Sequence, residues 1–196
     1  MELKGSKTEK NLREAFSGES EARNKYTYFA SRAKKDGYEQ IAAIFQETAD
    51  NEKEHAKRFW KLLLEGMEGE MPQMIEITAD FPVAQNGTLD NLKYAAGGER
   101  EEWSDLYPAF AKVADEEGFP VIAGVFRMIA RAEVAHEIRF NKLAENIMND
   151  TVFKKSEPTK WKCGNCGYVH EGDVAPDMCP ACIHPQAHFE LFTEPY

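Results

Sequence analysis

A chain of 196 residues has room for one core of about 100–150 residues and a small appendage. Its 24 basic and 34 acidic residues give a net charge of −10, a field that repels nucleic acid and anionic membrane. Charged residues at 30% and aromatics at 11% exclude a disordered or collagen-like chain, and no apolar run approaches the roughly 18 residues of a membrane-spanning helix. The opening MELKGSKTEK is too polar for a secretory leader, so a cytoplasmic protein with neither membrane nor nucleic-acid partners is expected.

Taken in chain order, the first 150 residues carry apolar positions at three- and four-residue spacing, as in Phe29, Ala33; Ile41, Ile44, Phe45, Thr48; and Val121, Val125, Met128, Ile129. That period predicts amphipathic helices over about 7–36, 38–65, 88–117 and 119–148, with 66–87 as a long connection. The region is also duplicated. Shifted by 81, Phe29 meets Phe110, Ala33 meets Ala114, Gly37 meets Gly118, Ile41 meets Ile122, Phe45 meets Phe126, Glu52 meets Glu133, His55 meets His136 and Phe59 meets Phe140. Each copy reads as helix, glycine turn, helix, so two αα-hairpins form an all-α four-helix bundle over 1–150. After about residue 150, KKSEPTK reads as a linker, and the glycines, prolines and short aromatic runs beyond it predict a small β-rich module over 151–196.

Each hairpin places one glutamate before its turn and an ExxH after it. Glu19 lies 18 residues before Gly37 and Glu52 lies 15 after, about 27 and 22 Å from the same tip, and so at similar depth. Glu99 and Glu133 repeat the arrangement around Gly118. Glu52 and His55, like Glu133 and His136, stand at i,i+3 on one helix face. Carboxylates gathered in a core need cations, because an unpaired buried charge is too costly, and a carboxylate–imidazole donor set suits iron or manganese. A lone ExxH is weak evidence in a chain of 34 acidic residues. Two copies at equivalent positions of a repeat, each with a partner glutamate, favour the metal.

Glu19 meets Glu99 at an offset of 80, whereas Phe29 and everything after it needs 81. The third helix therefore holds one extra residue between Glu99 and Phe110, which predicts a kink or a π-bulge near Pro108. That helix also offers Glu102, one turn beyond Glu99, where the first hairpin has Ala22. Tyr26 and Tyr107 share the ligand face, either to donate hydrogen bonds to a bound oxidant or simply to pack beside a polar core.

All four cysteines fall in two knuckles, Cys163-Gly-Asn-Cys166 and Cys179-Pro-Ala-Cys182, twelve residues apart. Two CxxC turns converge into a tetrahedral thiolate site for iron or for zinc, and only iron would carry electrons. His170, His184 and His188 read as surface residues, since four thiolates complete the site.

The chain resembles the rubrerythrins along nearly its whole length, in GES-x-AR-x-KY-x-YFA, the repeated ExxH helices, GGEREEWSDLYP and CGNCGYVHEG…CPAC. The resemblance implies a ferritin-like bundle with a di-iron centre and a rubredoxin-like domain holding one iron, with zinc an alternative occupant of the latter. It further implies a peroxidase that reduces hydrogen peroxide, is linked to NAD(P)H through a rubredoxin or reductase as external donor, and forms a homodimer or higher homo-oligomer. By position, the di-iron ligands would be Glu19, Glu52, Glu99, Glu102, Glu133 and His136, with His55 a redox-dependent alternative to Glu102; Cys163, Cys166, Cys179 and Cys182 would hold the single iron. Tyr26 and Tyr107 match the family's pocket tyrosines, and with Glu102 and His55 they are the candidate catalytic groups. A ferroxidase or iron-handling role is the alternative activity. One departure stands out. Ile183 follows the second knuckle where the family has glycine, as Gly167 does after the first, so a β-branched residue is expected at positive φ.

Overall fold

The computed structural model describes residues 2–67, 73–83 and 86–194. Helix α1 spans Lys7–Lys35 and α2 spans Glu39–Glu65, forming the first hairpin. In the second hairpin, α3 (Thr88–Glu101), a π-helical turn (Glu102–Leu106) and α4 (Tyr107–Glu116) make one rod that packs on α5 (Pro120–Met148). The bundle thus has four rods, with bounds within a residue or two of those read from the pattern. The expected extra residue of the third rod is present as the π-turn. Of the 66–87 connection, residues 73–83 are described and form no regular element, while 68–72 and 84–85 lie outside the described residues.

Both hairpins turn on a left-handed glycine, Gly37 at φ 86 and Gly118 at φ 79. The next residue closes the helix end, Tyr38 N–H donating to the Ala33 carbonyl at 2.9 Å and Phe119 N–H to that of Ala114 at 2.7 Å. Each tip also caps the other hairpin. The Glu117 carboxylate accepts from the N–H groups of Lys7 and Thr8 at 3.1 and 2.8 Å and from the Thr8 hydroxyl at 2.7 Å. Asp36 accepts from the Thr88 N–H at 3.0 Å and hydroxyl at 2.7 Å, at the start of α3. Caps of this kind are worth about 1 kcal/mol each, and here they also fix how the two hairpins meet.

The core is split into two aromatic clusters. Tyr26, Phe29, Phe45 and Phe140 lie towards the Gly37 tip, and Leu12, Phe59, Tyr107, Phe110 and Phe126 towards the other end. Along every rod the acidic residues of interest fall between the two clusters, so the bundle encloses a polar layer between apolar plugs. Of the apolar positions that set the α5 pattern, Ile129 is buried, but Val121 and Met128 are 68% and 55% exposed and face outward.

The C-terminal part forms a three-stranded antiparallel sheet in the order β2-β1-β3, with β1 Lys154–Cys163, β2 Val169–Val174 and β3 Phe189–Leu191. The KKSEPTK segment is therefore strand, not linker. Pro158 is compatible with that strand. It falls inside the register shift between Lys154 and Thr159, where a missing N–H interrupts no ladder. Trp161, fully buried, anchors the small core with Cys163, Ala175, Cys179 and Phe189. The module rests on the first hairpin's tip. Phe153 stacks on Tyr38 with ring centroids 6.1 Å apart, and Ala187 Cβ lies 4.0 Å from the place a Cβ on Gly37 would take.

The two cysteine knuckles share one backbone geometry. Gly167 N–H donates to the Cys163 carbonyl at 2.8 Å, and Ile183 N–H to that of Cys179 at 2.9 Å. Gly167 sits at φ 80 and Ile183 at φ 59, as expected for these positions. The Ile183 side chain is 73% exposed, so it offsets little of its backbone strain by burial. Strain of this kind costs about 1–3 kcal/mol, against about 0.5–1 kcal/mol for the greater chain entropy of glycine. Ile183→Gly should therefore stabilise the module by about 1 kcal/mol, read from Trp161 fluorescence during denaturation. A loss of stability would show that the exposed isoleucine makes a contact that outweighs its strain.

Candidate metal centres

The polar layer draws one side chain or pair from every rod: Glu19 from α1, Glu52 and His55 from α2, Glu99 from α3, and Glu133 and His136 from α5. They form two overlapping groups, Glu19–Glu52–His55–Glu133 and Glu52–Glu99–Glu133–His136, the ligand atoms of each lying within 4.8 Å of one another. Glu52 and Glu133 belong to both and are placed to bridge. His55 Nδ1 lies 2.9 Å from Glu52 Oε2 and 3.0 Å from Glu133 Oε1, and His136 Nδ1 lies 2.7 Å from Glu133 Oε2 and 3.2 Å from Glu52 Oε1.

Proximity here does not mean satisfaction. The Glu19, Glu52, Glu99 and Glu133 side chains are at most 1% exposed as residues, yet Glu19 Oε2, both oxygens of Glu52, both of Glu133 and His55 Nδ1 have no hydrogen-bond partner. Leaving a buried polar atom unsatisfied costs about 1–3 kcal/mol, and more for a charge. Convergent, buried, unpartnered oxygens and an imidazole nitrogen are what a pair of hard-to-borderline cations would complete.

Without cations the layer holds protons. Burial pushes Glu19 well above the usual carboxylate range, with Glu52 and Glu133 adding to it. Burial, with the charges of Glu52 and Glu133, also takes Glu99 up to about 8 against the opposing pull of His136. Burial would lower His136, but Glu133, Glu52 and Glu99 outweigh it and raise it to about 12. The same balance raises His55, through Glu133, Glu19 and Glu52. Burial acts to raise Glu52 too, but His136 and His55 hold it at about 2.

The two tyrosines are tied across the hairpins. Tyr26 Oη donates to Glu99 Oε1, and Tyr107 Oη donates to Glu19 Oε1 at 2.5 Å. Burial first, then the charge of Glu99 or Glu19, keeps both phenols protonated. They orient carboxylates and are tied to them, a pairing that helical spacing could not specify.

Glu102 lies outside both groups. It is half-buried on the π-turn, and burial, then the charges of Glu19, Glu99, Glu133 and Glu52, push its carboxyl up, so it faces the layer without joining it. Sequence reasoning missed its neighbour. Trp103 Nε1 donates to Glu137 Oε2 at 2.6 Å, linking the π-turn to α5. The available signal was Glu137, which meets Ala56 at the repeat offset of 81 and so has no counterpart in the first hairpin.

In the β module Cys163, Cys166, Cys179 and Cys182 converge within 4.8 Å and form no disulfide. Sγ–Sγ separations are 3.8 Å for Cys163–Cys182 and 3.7 Å for Cys166–Cys179. A regular tetrahedron with metal–sulfur bonds of about 2.3 Å has edges of roughly 3.8 Å, so the thiols match a tetrahedral metal. His170, His184 and His188 are half-buried and none joins the cluster; His184 Nδ1 instead lies 3.1 Å from the Cys182 carbonyl oxygen.

The comparisons with known proteins bear on both centres. A family model described as Rubrerythrin matches residues 10–150, and a second, described as the rubredoxin-like domain of rubrerythrin, matches 161–190. A rubrerythrin from Clostridium perfringens is 60% identical over 195 residues, 99% of this chain and 98% of that one. The chain belongs to the rubrerythrin family. Among solved structures, nigerythrin in a partially reduced state has a TM-score of 0.63 at 33% identity, covering 97% of this chain and 92% of that one. The bacterioferritin of Desulfovibrio desulfuricans shares the fold of the bundle, with a TM-score of 0.63 at 24% identity over 74% of this chain and 82% of that one. This rubrerythrin-family chain thus has a ferritin-like bundle with a di-iron carboxylate site and a rubredoxin-like four-cysteine site, both with donor sets consistent with iron.

Filling the bundle site must expel protons. Near neutral pH the metal-free chain carries a proton on Glu99, at about 8, and on His136, at about 12. Both sites must give theirs up to bind a cation. Calorimetry of divalent-metal binding in buffers of different ionisation enthalpy should register proton release, with affinity rising as pH rises through neutrality. Uptake without proton release, or affinity that falls with pH, would contradict the assignment.

Proposed function

We propose that the chain reduces hydrogen peroxide to water at the bundle site, using electrons passed from an external donor through the tetracysteine site, in cytoplasmic defence against oxidative stress. The observation that carries this reading is the coexistence, in one chain, of a buried layer with two overlapping carboxylate–histidine groups and a four-thiol cluster of tetrahedral dimensions. When bound, the iron pair supplies the two electrons that, with two protons, convert one hydrogen peroxide to two waters, and the tetracysteine iron returns electrons singly.

Glu19, Glu52, Glu99, Glu102, Glu133 and His136 are proposed to hold the pair, with His55 as the alternative to Glu102; Cys163, Cys166, Cys179 and Cys182 hold the single iron. Tyr26 and Tyr107 keep Glu99 and Glu19 oriented, and the aromatic clusters on either side of the layer exclude bulk water. His55, with 16% of its side chain exposed, and half-buried Glu102 are the least covered members, so the oxidant approaches on their side. A small substrate suits the site. The cavity of about 730 Å³ at the bundle's end, lined by Leu3, Leu62, Phe119 and Ile122, touches none of the layer's carboxylates.

The module seats on the Gly37 tip, while Glu52 lies 15 residues along α2, about 22 Å away. Electron transfer falls off exponentially with distance, so the reading favours a homodimer or higher homo-oligomer in which another copy's module comes nearer the layer. The exposed Val121 and Met128, seven residues apart on one face of α5, are consistent with association. The donor is taken to be a rubredoxin or an NAD(P)H-dependent reductase.

The test is steady-state peroxide consumption with NAD(P)H, reductase and rubredoxin, comparing the wild type with Cys163→Ser/Cys182→Ser. The wild type should sustain turnover, and the variant, reduced beforehand, should complete a single round and then stall. Equal turnover would sink the relay. Ferrous oxidation by oxygen outpacing peroxide reduction would favour an iron-handling role.

A further inference from the structure

The π-turn is costly geometry, since it widens the helix and spoils its hydrogen bonding, so it persists where tertiary contacts hold it. Here the Tyr107 N–H reaches back to the Glu102 carbonyl, five residues away, and the turn's side chains supply few anchors. Among the described residues, Ser104 bonds only to its neighbour Asp105. Among the described residues, Trp103 makes the one hydrogen bond from a side chain of this turn to another helix, through Nε1–H to Glu137 Oε2 at 2.6 Å.

Glu137 is built to receive it. It is 8% exposed, its Oε1 accepts from Asn141 Nδ2 at 3.3 Å, and Arg100 Nη1 stands 3.5 Å from that same oxygen. The acceptor is thus fixed by groups on both α3 and α5, and it directly follows His136 on α5. The first hairpin has none of this: its helix has no inserted residue, Ala22 stands in place of Glu102, and Ala56 in place of Glu137. Insert, extra carboxylate and anchor occur together in one hairpin and are together absent from the other.

We propose that the Trp103–Glu137 hydrogen bond is the latch that keeps the π-turn wound, and that Trp103 is thereby the positioning residue that holds Glu102 facing the metal layer. The proposal rests on the reading of Glu102 as a ligand of that layer and adds what sets its reach. Without the latch the inserted residue is free to shift along the rod, the backbone at Glu102, whose carbonyl takes the Tyr107 N–H, moves with it, and the Glu102 carboxyl is carried off the layer. His55 on α2 is untouched, so the layer would keep both histidines and lose the carboxylate of Glu102.

The experiment uses the full-length protein with zinc in the tetracysteine site and follows Mn²⁺ binding by calorimetry and electron paramagnetic resonance. Trp103→Phe keeps the ring and loses the donor; it should weaken one of the two bundle ions by about tenfold, as the loss of a group orienting a ligand does, and leave the other unchanged. Glu137→Gln keeps an acceptor oxygen and should bind as the wild type does. Glu137→Leu should match Trp103→Phe, with the double variant no weaker than either alone. Wild-type binding in Trp103→Phe, or equal weakening of both ions, would overturn the latch. Glu102→Ala separates the two ideas. If it weakens one ion while Trp103→Phe weakens neither, the latch fails and the ligand role stands; if it changes neither ion, the ligand role fails and the latch falls with it.

Discussion

Glu19, Glu52, Glu99 and Glu133 are each sealed from solvent between two aromatic clusters, in two overlapping groups that share Glu52 and Glu133. Taking one carboxylate out of water costs several kcal/mol even after the protein relaxes, and a whole domain is stable by only about 5–15 kcal/mol. Four such groups cannot remain ionised together without compensation. In the metal-free chain burial raises the Glu19 and Glu99 carboxyls and the surrounding carboxylates raise the two histidines, so protons offset part of that cost. Cations compensate more fully, because they also satisfy the oxygens that protons leave unpartnered.

The duplication explains how one chain assembles such a layer. Two hairpins of repeated sequence each contribute a lone glutamate and an ExxH, and their cross-links are reciprocal. Glu117 caps α1 while Asp36 caps α3; Tyr26 holds Glu99 while Tyr107 holds Glu19. Each bond therefore registers one hairpin against the other as well as serving its own end. The symmetry fails in one place, the π-turn, and there the second hairpin gains Glu102, Trp103 and a buried Glu137. A site whose two halves are alike except for one extra carboxylate can treat its two ions differently.

Much of this was legible beforehand. The hairpin tips fell where Gly37 and Gly118 ended each helix, because a left-handed residue that closes the last turn leaves few alternatives. The π-turn announced itself as a one-residue slip between Glu99 and Phe110, since a repeat records insertions that a single helix would hide. The strained position of Ile183 followed from its equivalence to Gly167. Other features were not legible, for physical reasons. Spacing places a side chain on a helix face but does not say which neighbour it meets, so the partners of Tyr26 and Tyr107 and the caps at Asp36 and Glu117 came from tertiary structure alone. Glu137 looked like one of 34 interchangeable acids until its burial against Trp103 was visible. The polar composition of KKSEPTK reads as a linker, whereas a strand with a bulge admits it, Pro158 included.

The central claim is that buried carboxylates and clustered thiols are organised around iron, and metal content tests it most directly. Elemental analysis of full-length protein, purified without oxygen from iron-supplied cells, should find about three irons per chain and no zinc, from a two-ion layer and a one-ion thiolate site. Two irons with one zinc would preserve the bundle chemistry and remove the internal electron carrier. A bundle that takes up no iron, even after reconstitution with ferrous ion, would contradict the account.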